Sequence, residues 1–136
     1  PEPEFNRLAR STVAHIHMST TKDPKSGLYM VPAASYGYDV YANESCFQAL
    51  MLDALGDTQR AGQYLDTLAA LQGSKPFPGN YAEPHDGMFH GVRVDHAYDY
   101  TAYLYGLDHG TVLWALAKHY FYARDAAWLQ ARCHTC

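Results

Sequence analysis

The sequence predicts an all-α protein: an incomplete toroid of antiparallel helical hairpins with long loops on one rim, one partial domain spanning residues 1–136. Three observations predict it. Apolar residues recur at steps of three and four in several stretches, the period of an amphipathic helix. Two links between such stretches are too short for anything but antiparallel neighbours. The other links are long, rich in Gly, Pro and Tyr, and both lead into helix starts.

Phe5, Leu8, Ala9, Val13 and Ile16 mark a first helix from about Glu4 to Ser19, ended by the Pro24 to Gly27 breaker. Leu28 to Tyr41 reads as an irregular aromatic loop. A second helix starts near Asn43, a good N-cap residue, with Glu44 in its first turn where the helix dipole favours an anion. Phe47, Leu50, Met51, Ala54 and Leu55 form its expected buried stripe. Gly56 stops it, and Asp57 or Thr58 caps the next helix, which runs through Ala61, Tyr64, Leu65, Leu68 and Ala69 to Gln72-Gly73. Gly73 to Gly106 is a long stretch with a short strand-like or helical piece near Ala97 to Leu104. Links of that length are usually functional when ordered. Asp108-His109-Gly110-Thr111 opens the last strong helix, with Asp108 a competent N-cap, and Arg124-Asp125 turns the chain into a further helix that the chain end interrupts. Long links precede Asn43 and Asp108, so those two helix starts are expected at one common rim, lined by tyrosine rings.

Composition narrows the function. Ten Lys and Arg face fourteen Asp and Glu, a formal charge of −4, with no basic stripe of the kind that tracks phosphates. Nucleic acid is therefore not the expected partner. No apolar run approaches the ~20 residues that span a bilayer, and this segment has no charged-then-apolar leader. The expectation is a soluble protein without membrane contact, the cytoplasm slightly favoured over other compartments, of undetermined oligomeric state. Eleven of the twelve tyrosines fall between Tyr29 and Tyr120. An apolar ring with a polar tip suits a half-wet surface, and sugars present the same mix of faces.

Motifs exclude more than they include. There is no Gly-rich phosphate loop, Gly-x-Ser-x-Gly elbow or His-Glu-x-x-His. Cys133-His134-Thr135-Cys136 has the spacing of half a zinc site, but the second half is missing. His85, His90, His96 and His109, with Asp86 and Asp95, match no metal signature by spacing. No metal and no cofactor is expected.

Val40-Tyr41-Ala42-Asn43-Glu44-Ser45, followed by Gln48 to Asp57, resembles the glucoamylase-type glycoside hydrolases of the six-hairpin, (α/α)6 toroid superfamily. Leu107-Asp108-His109-Gly110-Thr111-Val112-Leu113-Trp114-Ala115-Leu116 resembles a later helix of that family, and Arg124 to Leu129 the turn after it. The resemblance covers about residues 36 to 130. It implies a fragment of a carbohydrate-active enzyme, acting on α-glucosides by two-carboxylate hydrolysis of an oligosaccharide or polysaccharide. It places Tyr41 where the family has a sugar-facing Trp, Asn43 where it has Arg, and Glu44 where it has a hydroxyl-holding Asp. The loss of the Arg removes a rigid fork of donors. Tyr38, Tyr41, Asn43, Glu44, Tyr81, Asp108 and His109 are the expected substrate-binding residues. Glu83, Asp86, Asp95 and Asp99 are the other carboxyls available, yet none sits in a motif for an acid or a base, so the catalytic pair is expected outside this chain.

Two rivals remain at this stage. A sugar epimerase or polysaccharide lyase of the same toroid type would draw on His85, His90 or His96. A non-enzymatic helical module would turn its tyrosines toward a protein partner, as interface aromatics do.

Overall fold

Gly56 makes the first hairpin. In the computed structural model, which describes residues 2–32, 39–73, 87–93, 99–100 and 105–133, helix α2 (Ala42–Ala54) ends there and α3 (Thr58–Ala70) begins two residues later. Gly56 has φ 91°, a conformation open to glycine at little cost. Its N–H bonds the Asp53 carbonyl, and the Asp57 N–H bonds the Leu52 carbonyl, so the last carbonyls of α2 are satisfied by a Schellman closure. The Asp57 carboxylate then accepts from the Arg60 N–H and caps α3. The second hairpin joins α4 (Tyr105–Ala123) to α5 (Ala126–Cys133). Arg124 takes the left-handed position (φ 54°) and Asp125 accepts from the Trp128 N–H.

The two hairpins lie side by side in the same sense. Along α2 and α4, Cys46 lies near Asp108, the Phe47 ring meets Trp114 at 6.3 Å, and Asp53 bonds His119. Residue numbers rise together, so α2 and α4 run parallel. Along α3 and α5, Gly62 lies against Trp128, and Asp66 accepts from Trp128 Nε1 and from Arg132, again in parallel.

The core lies among α2, α3 and α4, with Ala42, Cys46, Ala49, Leu52, Ala61, Tyr64, Leu65, Leu68, Phe89, Val112, Ala115 and Leu116 buried. This corrects the expected stripes. Phe47 and Leu55 are each 61% exposed, and Leu113 and Phe121 also face outward. Both helices are apolar on two sides. The face that packs inside this unit is the one with small residues, which let helix axes approach closely. The larger residues are left outside.

Helix α1 (Pro3–Ser19) forms where its periodicity predicts, one residue early, but buries only Ile16 fully. Phe5 and Leu8 are exposed. It is tied down at its C-terminal end, where the Thr20 hydroxyl bonds Tyr64 and His17 pairs with Asp57 at 3.6 Å. Strands β1 (Thr21–Lys22) and β2 (Tyr29–Met30) pair antiparallel, and the Tyr29 carbonyl accepts from the buried Thr67 hydroxyl of α3.

Both long links contribute to one small sheet. Strand β3 (Asp39–Val40) pairs antiparallel with β4 (Val92–Arg93), which pairs with β5 (Asp99–Tyr100). Met30, Val40, Leu71 and Val92 form a second apolar cluster at that level. Because β3 runs straight into α2 and β5 precedes α4, the sheet stands at the end where those two helices start. Strand β5 falls within the piece expected near Ala97 to Leu104, the rest of which lies outside the described residues. No helix among the described residues is long and apolar enough to cross a membrane.

Candidate functional site

The parallel arrangement places the first turns of α2 and α4 together. Asp108 is 5% exposed and accepts a hydrogen bond from the backbone N–H of Asn43, with Glu44 close enough to act on its charge. Its pKa is pushed up to about 6, first by burial and then by Glu44, with the Asn43 N–H opposing both. A buried carboxyl beside a second carboxylate holds its proton more tightly, as expected. Glu44 itself is exposed to solvent.

Two capping expectations change. Asn43 is not the N-cap of α2. Tyr41 holds that position without a side-chain cap, and the Asn43 amide oxygen accepts from the Glu44 N–H within the first turn. Asp108 does not cap α4 either, since the helix begins three residues earlier at Tyr105. A free N–H of α2 takes its carboxylate instead. An open helix start leaves several N–H groups unpaired, and here one of them is satisfied across the interface between helices.

His109 follows Asp108 on α4 and is half-buried. Its Nδ1 accepts from the Phe89 N–H at 3.2 Å, and its ring packs on Phe89 at 5.5 Å with planes 32° apart. Gly110 has nothing within 4 Å of where a Cβ would stand, so the surface beside the histidine is open. Cys46 lies beneath. Burial, and secondarily Asp108, push its thiol up to about 12, which makes it inert rather than nucleophilic.

Tyr41 is half-buried at the rim. Tyr64 is buried in the core, Tyr29 lies under the Arg60 guanidinium, and Tyr120 and Tyr122 are at the far end of α4. Among the described tyrosine side chains, only Tyr41 is at the mouth. Tyr38 and Tyr81, and likewise Glu83, His85, Asp86, Asp95 and His96, lie outside the described residues, as does the Asp99 side chain. His90 is described and is 1% exposed. The Cys133 side chain and residues 134–136 likewise lie outside the described residues. Among the described residues no group of three or more His, Cys, Asp or Glu is placed to hold a metal ion.

A second polar contact between α2 and α4 had no signal in the sequence. The Asp53 carboxylate grips His119 Nδ1 through both oxygens, at 2.8 and 2.9 Å, and both side chains are all but fully buried. The His119 ring meets Trp128 edge-on at 4.5 Å. A cleft of about 390 Å³ lined by Gly62, Gln63, Asp66, His119 and Trp128, among others, opens beside it. Residues 66 apart in the chain make this pair, and no local motif announces it. Phe89, which orients His109, was equally unannounced.

No family model, curated protein or solved structure matches the chain.

Proposed function

We propose that this chain is part of a carbohydrate-active enzyme of the α/α-toroid kind, a glycoside hydrolase acting on α-glucosides, and that the start of α2 and the start of α4 together bind sugar hydroxyls. One observation carries the reading: Asn43-Glu44 and Asp108-His109, from two different hairpins, meet at one end, where Asp108 takes the Asn43 N–H and lies beside Glu44. A buried carboxyl, an exposed carboxylate and an imidazole offer both acceptors and a donor, the set a hydroxylated ring needs. The incomplete-ring architecture belongs to the same proposal. It is supported by two successive hairpins of equal sense and by the outward apolar face of α2 and α4.

Hydrolysis by two carboxyls needs an acid and a base, or an acid and a nucleophile, flanking the bond. In this reading that pair comes from outside the chain, and Glu44 and Asp108 position the sugar. A second reading is favoured by the placement of the buried Asp108, raised by burial and by the neighbouring Glu44: a buried carboxyl beside an exposed one can serve as acid and base partners. Cleavage of an aryl α-glucoside by this chain alone selects the second reading, and silence there with activity in a longer protein selects the first. In the active enzyme, Glu44→Ala is expected to lower kcat/KM by about 100-fold or more, through lost transition-state hydrogen bonding. Activity within twofold of the original would overturn the sugar-binding role.

A further inference from the structure

The imidazole that ties α4 to α2 has a second edge. Asp53 holds His119 Nδ1 through both carboxylate oxygens, at 2.8 and 2.9 Å. An ionised carboxylate only accepts, so Nδ1 carries the hydrogen and the neutral ring keeps its lone pair on Nε2. Among the described residues nothing bonds Nε2, yet it is not one of the polar atoms sealed in without a partner. The side chain is 3% exposed, and the atom opens on the cleft of about 390 Å³ that His119 lines. Gly62 keeps that edge clear. A Cβ there would stand 3.2 Å from His119 Nε2 and 3.6 Å from Trp128 Nε1. Trp128 packs on His119 at 4.5 Å, and its Nε1–H donates to Asp66 Oδ1 at 2.8 Å. A carboxylate thus stands one hydrogen bond beyond the ring that touches the histidine. Arg132 also donates to Oδ1, so Oδ2 keeps its capacity to accept. Among the described residues that line the cleft, the charged ones are two carboxylates, Asp66 and Asp125.

We propose that this cleft binds a small primary ammonium compound, whose head donates to His119 Nε2 and the Asp66 carboxylate while its short apolar tail lies along Trp128. An ammonium group brings three donors and no acceptor, which matches a wall of acceptors. It also gains attraction from Asp66 and Asp125, part of which Arg132 offsets at Asp66. An alcohol brings one donor and no charge. A carboxylate meets two like charges and a lone pair, and is repelled. The acceptor is held ready in advance, because Asp53 fixes the tautomer of His119 and its contact with Trp128 fixes the ring. A group already aimed loses little freedom on binding. A cleft of about 390 Å³ has the size of a small-molecule site. This cleft lies toward the C-terminal ends of α2 and α4, away from the rim, and its occupant is independent of the carbohydrate reading.

Three probes of equal length test the site: n-butylamine, n-butanol and butyrate, titrated into the chain at about pH 8, where the amine is protonated. Calorimetry is expected to show the ammonium form binding at least about tenfold more tightly than the alcohol or the acid. No amine binding, or an alcohol or acid that binds as tightly, overturns the proposal. Long-range ¹H–¹⁵N NMR is expected to show hydrogen on His119 Nδ1, and the amine to shift the His119 Nε2 and Trp128 Nε1–H signals. An Nε2–H ring in the unliganded chain, or amine binding that leaves both signals in place, overturns it. Gly62→Ala sets a methyl group against Nε2 and is expected to lower amine affinity about tenfold or more. Asp66→Asn keeps an acceptor for Trp128 Nε1–H but loses the charge, and a drop of about fivefold is expected. Both variants are compared with the original where near-ultraviolet circular dichroism shows the same packing, and Asp66→Asn alone decides if Gly62→Ala does not fold. Affinity within twofold of the original in a folded variant overturns the ammonium site.

Discussion

Helices α2 and α4 meet through a polar contact at each end, and the two contacts are built on opposite plans. Toward their C-termini, Asp53 and His119 satisfy one another in a closed, dry setting. At their N-termini, Asp108 is buried with the Asn43 N–H as its donor among the described residues and with a neighbouring carboxylate, and Glu44 stands in solvent. The first contact joins the two hairpins. The second leaves a buried carboxyl beside another charge that disfavours its ionisation, at the end where both long links arrive. Functional sites commonly show that kind of unrelieved arrangement, and the contrast within one helix pair is what supports the proposal of binding at the rim and cohesion at the far end.

The largest effect that could break this contrast is at the closed end. Asp53→Ala leaves His119 buried without its partner, and loss of about 3–5 kcal/mol in denaturant-melt stability is expected. A loss under 1 kcal/mol would mean the pair does not hold the hairpins together.

At the rim the sign reverses and depends on pH. The folded state raises the Asp108 pKa from 3.8 to about 6, so it prefers the protonated form. The associated penalty is absent below about pH 4, grows as pH rises through 4 to 6, and is fully present above that. Asp108→Asn removes the titration while keeping an acceptor for the Asn43 N–H. The variant is expected to be more stable than the original by up to about 3 kcal/mol at pH 8, shrinking toward zero at pH 4. A constant difference across that range would show that Asp108 is not strained by its surroundings.

The smallest test uses two helical glycines. A Cβ on Gly62 would stand 3.2 Å from His119 Nε2, a ring that Asp53 holds fixed, whereas one on Gly110 would meet nothing. Alanine is intrinsically favoured over glycine in a helix by about 1 kcal/mol. Gly110→Ala is therefore expected to stabilise by about that amount, and Gly62→Ala to destabilise by about 1 kcal/mol because the clash outweighs the propensity. Equal shifts in thermal unfolding for both would erase the difference in packing between the two ends.

Legibility followed range. The Gly56–Asp57 turn, the extent of α1 and the tight link at Arg124-Asp125 are written within a few residues, and all appear where the sequence places them. The gathering of helix starts at one end followed from the alternation of long and short links. The buried faces of α2 and α4 did not, because residues such as Phe47 and Ala49 are both apolar and only the distance between helix axes chooses the smaller. The caps assigned to Asn43 and Asp108 failed for a related reason. Both residue types suit an N-cap, but strand β3 enters α2 one step early and α4 starts upstream of Asp108.

By itself the sequence determined which segments are helical, where the hairpins turn, and that the chain carries carboxyls and a histidine at two helix starts, since turns and periodicity act through neighbours a few residues away. Only the tertiary structure decided that α2 and α4 run parallel, that the Asn43 N–H reaches Asp108, that the Phe89 N–H reaches His109 Nδ1 and that Asp53 grips His119. Those contacts join residues 20 to 66 positions apart, and their formation depends on how whole helices pack, which no local pattern encodes.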